Sequence, residues 1–102
     1  MRELINAVLL WADERGLLAN GNADRQALKA MSEFGEFADE ILKGDKAKQE
    51  MELGDVIVTL ILTAYKLGLD IEQALAVAYT KISNRKGETI NGVFVKEEDL
   101  NG

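Results

Sequence analysis

A chain of 102 residues that is nearly half apolar, carries a formal charge of −6 and contains no proline has room for one mainly helical domain. The acidic balance excludes a generic binder of nucleic acid duplexes, which needs a basic face. With no cysteine and no histidine, disulfides, thiolate chemistry, cysteine zinc sites and the Ser-His triad are excluded as well, so any chemistry must run on carboxylates, lysine, arginine and hydroxyls.

Residues 3–15 place Leu4, Ile5, Val8, Leu9, Trp11 and Ala12 at helical spacing, with Gly16 as the stop. Acids at Glu3, Asp13 and Glu14 and the lack of a small-residue cleavage site speak against a signal peptide. Residues 16–22, GLLANGN, read as a loop ending in an N-cap at Asn22, and a second helix follows to Lys43. Gly44 and Asp45 break that pattern, Asp45 capping a third helix to Leu67 that Gly68 ends. The apolar run from Val56 to Ala64 is too short to span a bilayer, so a cytoplasmic protein is expected.

Asp70 and Gln73 form a capping-box pair for a fourth helix reaching Arg85, which is expected to turn Ile71, Ala74, Leu75, Ala78 and Ile82 inward. Two β-prone runs around Asn91-Gly92 predict a hairpin over 88–95, and 96–102 read as a solvated tail. The fold expected is all-α: one domain over 1–102, a four-helix bundle-like body with a short C-terminal hairpin or arm.

Chemistry concentrates in two acidic pairs. Glu33 and Glu36 are three apart on the second helix, and Glu52 and Asp55 repeat the spacing on the third, so each pair shares a helix face. The Gly-Asp turn should lay the two helices side by side and antiparallel. Either pair alone is what a solvated helix commonly carries, and acids near a helix start are favoured by its dipole. Two pairs, the second leading directly into an apolar run, point further: facing carboxylates repel unless a hard cation joins them, and an all-oxygen set suits Mg²⁺, with Mn²⁺ or Ca²⁺ possible.

The second helix carries a polar stripe of Gln26, Lys29, Glu33, Glu36 and Glu40, with Ala27, Leu28, Met31, Phe34 and Phe37 on its apolar side. Lys81, Asn84 and Arg85 share a face in the last turn of the fourth helix, where basic residues suit the dipole and are also placed to hold phosphate oxygens. Trp11, Tyr65 and Tyr79 are expected in the core.

In this order, ExxE at 33–36, ExxD at 52–55 and then KISNRKG, the chain resembles the MazG-like branch of the all-α nucleoside triphosphate pyrophosphohydrolases, small phage and bacterial members in particular, over about residues 8–96. WADERGLL near the start and GVFVKEEDL near the end carry the likeness further. The resemblance implies dimers or tetramers and Mg²⁺-dependent cleavage of an NTP or dNTP to NMP and pyrophosphate, in nucleotide pool control or sanitation. It implies Glu33, Glu36, Glu52 and Asp55 as metal ligands, Glu33 or Glu36 as the group that takes a proton from the attacking water, and Lys81 and Arg85, with Asn84 a weaker candidate, as substrate contacts; Lys29, on the stripe that carries Glu33 and Glu36, is a further substrate-binding candidate. Ser32 stands where the family pattern EExxE has its first glutamate, and Glu40, one turn beyond Glu36, is a geometric substitute. That departure keeps a catalytically weakened nucleotide-binding module in view as an alternative, beside a purely structural oligomeric bundle.

Overall fold

The computed structural model describes residues 1–19 and 22–100. Its elements are α1 (Arg2–Glu14), α2 (Ala23–Lys43), α3 (Lys46–Lys66), α4 (Ile71–Ser83), β1 (Gly87–Ile90), β2 (Val93–Lys96) and α5 (Glu97–Leu100). The four long helices and the hairpin are those expected from the sequence, and within the stretch read as a solvated tail Glu97–Leu100 form the short exposed helix α5. Part of the loop expected over 16–22, at positions 20 and 21, lies outside the described residues. The chain divides into two compact units, Met1–Glu72 and Gln73 onward.

In the first unit α2 and α3 form an antiparallel helical hairpin whose turn is only Gly44 and Asp45. Gly44 takes the left-handed conformation at φ 81° and donates its N–H to the Glu40 carbonyl. Asp45 then caps α3 by accepting the Lys48 N–H at 3.2 Å, as Asn22 caps α2 by accepting that of Arg25 at 2.9 Å. From the far side of the turn, the Gln49 side-chain amide donates to the same Glu40 carbonyl at 3.1 Å. A cap on each side and one bond across the turn leave the hairpin little freedom to slide.

The core is centred on α3, where Val56, Thr59, Ile61, Leu62 and Ala64 are buried, with Ala30 from α2 and Ile5 and Ala12 from α1. Thr59 is tolerated there because its hydroxyl donates back to the Val56 carbonyl at 2.7 Å. Gly68 ends α3 at φ 74°, and the Leu69 N–H reaches back to the Ala64 carbonyl in a Schellman closure. At the start of α1, Arg2 ion-pairs with Asp70 at 2.6 Å and Glu72 at 3.2 Å, holding the N-terminal turn.

The second unit holds the hairpin, registered Gly87 to Lys96 and Ile90 to Val93. Asn91 and Gly92 both have positive φ, as the tight turn requires. Gly87 has no room for a side chain, since a Cβ there would strike the Val95 carbonyl. Here the sequence expectation for the fourth helix needs correction: α4 buries none of its residues, and Ala74, Leu75, Ala78 and Ile82 are exposed and Ile71 only half-buried. Periodicity set the helix but not a covering partner for it.

The apolar side of α2 also departs from expectation. Met31 is 71% and Phe34 58% exposed, Leu28 is exposed too, and the polar positions Gln26, Glu33 and Glu40 are half-buried instead. Among the described residues no helix is long and apolar enough to cross a membrane.

Gly44→Ala should lower the unfolding free energy by about 1 kcal/mol in urea melts, with the denaturant slope unchanged, because a Cβ is strained at that φ. An unchanged midpoint would show that the hairpin does not depend on the left-handed turn.

Candidate metal centre

The site arises where the α2 polar stripe meets α3. Glu33 and Glu36 project from α2 one turn apart, and Glu52 projects from the second turn of α3. One carboxylate oxygen from each lies within 4.8 Å of the others. That span is close to the separation of opposite ligands on a hard divalent cation, roughly 4 to 5 Å for bond lengths of 2.0–2.6 Å. The donor set is all oxygen, and one carboxylate oxygen of Glu52, Oε2, is buried with no hydrogen-bond partner. Residues and vacancy of partners together fit Mg²⁺ or a similar hard ion.

The electrostatics follow from this crowding. Burial raises the Glu33 carboxyl above its ordinary range, and the charge of Glu36, a hydrogen bond with Glu36, and the charges of Asp55 and Glu52 raise it further. Burial likewise comes first for Glu52, followed by the charges of Glu36, Asp55 and Glu40. Glu36 therefore acts on both neighbours and stands at the centre of the cluster.

Asp55 stands outside the set of three: it is exposed and borders a separate cavity, yet it is near enough to act on both Glu33 and Glu52. Glu40, one turn beyond Glu36, is only 13% exposed at its side chain, has Lys43 3.6 Å from Oε1, and leaves Oε2 buried without a partner. The sequence marked Glu40 only by its place on the stripe. Its burial depends on the α3 packing that no helical period reveals.

Lys29 is exposed on α2, one turn before Glu33. The remaining expected substrate contacts belong to the second unit. Lys81 and Asn84 are exposed and Arg85 is half-buried. Asn84 and Arg85 line a polar cavity of about 360 Å³ with Lys86, Lys96, Glu97 and Glu98, a group that does not include Lys81. The Asn84 side-chain amide donates to the Thr80 carbonyl at 3.0 Å, closing the end of α4. The aromatic residues expected in the core are not there: Trp11 is 44% exposed, and Tyr65 and Tyr79 are exposed as well.

Comparison with known proteins gives this geometry a setting. The sequence pattern of the MazG nucleotide pyrophosphohydrolase domain matches residues 24–90, which hold all four acids and the KISNRKG segment. An uncharacterized 18.2 kDa protein in the rep-hol intergenic region of Haemophilus phage HP1 (strain HP1c1) is 27% identical over 70 residues, 69% of this chain. The matched stretch is 43% of that relative's length. No solved structure matches.

A carboxyl raised in the folded state binds its proton more tightly there than in the unfolded chain. The metal-free protein should therefore lose stability as pH rises through the interval between the ordinary and the raised values of Glu33 and Glu52. Glu52→Gln should raise the melting temperature of the metal-free protein at neutral pH, with the gain shrinking as pH falls into the carboxylate range. A gain that is the same at every pH would assign the effect to something other than charge.

Proposed function

This chain belongs to the MazG nucleotide pyrophosphohydrolase domain family, and from that premise we propose that it is a Mg²⁺-dependent nucleoside triphosphate pyrophosphohydrolase, cleaving an NTP or dNTP to NMP and pyrophosphate. A role in nucleotide pool control or sanitation, in the cytoplasm where nucleotides and Mg²⁺ are both present, is part of this reading. The observation that carries it is the gathering of Glu33, Glu36 and Glu52 oxygens within 4.8 Å across the α2–α3 seam.

Glu33, Glu36 and Glu52 would hold the cation, with Asp55 completing the acidic surround on the α3 side. A divalent ion bound there neutralises phosphate charge and makes a bound water more acidic. Glu33 or Glu36 takes the proton from the water that attacks the α-phosphorus, and the hydrogen bond between the two lets either hold it. Lys29, Lys81, Asn84 and Arg85 are the groups assigned to the phosphates and the leaving pyrophosphate.

The protein is further read as a homo-oligomer, with a second copy of this chain covering the outward apolar strip of α2 and α3. Ala27, Ala30, Met31, Phe34, Val56 and Leu60 line a groove of about 420 Å³ there. Leu28 continues it along α2, and Leu53 and Ile57 along α3. At their observed exposures the large residues of this strip offer on the order of 600 Å² per chain, so a symmetric pair would bury about 1,200 Å², the lower bound of stable interfaces. Phe34→Glu should shift the protein from dimer or larger to monomer in light scattering after gel filtration, and an unchanged mass would remove this face as the interface.

The activity is tested by pyrophosphate release from a panel of ribo- and deoxynucleoside triphosphates with and without Mg²⁺. Glu36→Gln and Asp55→Asn should each lower turnover by roughly 10²-fold or more, and turnover that survives both would sink the assignment. Ligand-dependent thermal shifts without turnover would favour the binding module, for which Ser32 is the motivating residue. Restored hydrolysis in Ser32→Glu would then identify that departure as the cause.

A further inference from the structure

Gln49 is withdrawn from solvent on a stretch of helix that is otherwise exposed. Of residues 46–55 on α3, Gln49 and Glu52 are half-buried and the rest are exposed, so these two lead into the buried Val56 and Thr59 along one side of the helix. Glutamine is mostly an exposed residue, and here the cost of burying it is offset by a bond. Its side-chain amide donates to the Glu40 carbonyl of α2 at 3.1 Å. That carbonyl, in the last turn of α2, already accepts the Gly44 N–H at 3.0 Å and has a second lone pair for Gln49. The Gln49 backbone N–H donates to the Asp45 carbonyl at 2.9 Å, so main chain and side chain are both held at the turn.

The side-chain bond stands one helical turn from the acids on both helices. Glu36 precedes Glu40 by four residues on α2, and Glu52 follows Gln49 by three on α3. Apolar burial is not directional, whereas a hydrogen bond weakens steeply once its angle departs from linear. Where like charges push α2 and α3 apart, this bond fixes the axial register beside the acids.

Register bears on which ion the carboxylates suit. A helix rises about 1.5 Å per residue, so a slip of one residue would displace the Glu52 oxygens by much of a Mg²⁺–oxygen bond of about 2.0–2.1 Å. Mg²⁺ demands near-ideal octahedral geometry, while Ca²⁺ accepts longer bonds and irregular surroundings.

We infer that Gln49 is a positioning residue that sets the ion preference: by tying its turn of α3 to the Glu40 carbonyl it holds Glu52 in register with Glu33 and Glu36, which favours Mg²⁺ relative to Ca²⁺. The inference rests on the cation reading of the acidic centre and adds what governs its selectivity.

Gln49→Met removes the amide and keeps the length and helix preference of the side chain. Gln49→Asn, shorter by one methylene, should lose the bond in the same way. Asn22→Ala removes the cap at the far end of α2 and so lowers stability without touching the turn. The probes are Mg²⁺ alone and Ca²⁺ alone, titrated calorimetrically into the full chain, with the metal-free melting temperature measured for each variant. Both Gln49 variants should weaken Mg²⁺ binding about tenfold and Ca²⁺ binding by less than about threefold. Asn22→Ala should lower the melting temperature and leave the ratio of the two Kd values unchanged.

Equal losses for the two ions in the Gln49 variants, an unchanged Mg²⁺ affinity, or the same shift of the ratio in Asn22→Ala would overturn the role of Gln49 and leave the cation reading standing. Binding of neither ion by the natural protein would overturn the cation reading itself, and the role of Gln49 with it.

Discussion

Everything in the first unit is arranged around a confrontation of like charges at the seam between α2 and α3. Glu33, Glu36 and Glu40 from one helix meet Glu52 from the other, with Asp55 close behind, in surroundings dry enough that two of these residues leave a carboxylate oxygen buried and unpaired. Such a seam opposes folding when nothing bridges it. It persists because the other side of α3 is the best-packed part of the unit, where Val56, Thr59, Ile61, Leu62 and Ala64 join Ile5 and Ala12. Stability made on one face of a helix is what permits repulsion on another, a division expected at sites that hold ions.

The same seam inverts the usual logic of an amphipathic helix. With its acids turned toward α3, α2 must send Leu28, Met31 and Phe34 outward. Phe34 and Phe37 meet edge to face with centroids 6.1 Å apart, so the aromatic end of this strip is ordered although one of its two rings is largely exposed. The gathered acids and the outward apolar strip are two consequences of one rotation of α2 about its axis. A substitution that turns the helix moves the acids and the strip together.

What the sequence made legible was local. The caps at Asn22 and Asp45, the left-handed glycines at 44 and 68 and the Asn91-Gly92 turn are set by neighbouring residues, and each element they bound was foreseen to within a residue or two. The gathering of Glu33, Glu36 and Glu52 was legible because an i, i+3 pair and a two-residue turn leave few ways to place those side chains. What depends on contacts between distant elements was not legible. Trp11 sits in a regular apolar pattern that reads as core, yet the helix rotates so that Ile5 and Ala12 take the buried positions. The apolar residues of α4 follow an equally good period and bury nothing, because period reports a face and says nothing of what covers it. Asp55 was paired with Glu52 by spacing alone, but the turn of α3 that carries it looks as much toward α1 as toward α2.

The Gly44-Asp45 turn has one more consequence. Because the carboxylates that gather lie on either side of a single tight turn, an ion among them would close a short loop of chain, from Glu36 to Glu52, and would act as a removable crosslink between two stretches that are near neighbours in sequence. Closing so short a loop costs little chain entropy, and its contacts can form early and without the rest of the fold. The hairpin would then be the part of the molecule whose rigidity tracks the free concentration of the ion, loosening first when the ion is withdrawn and tightening first when it returns.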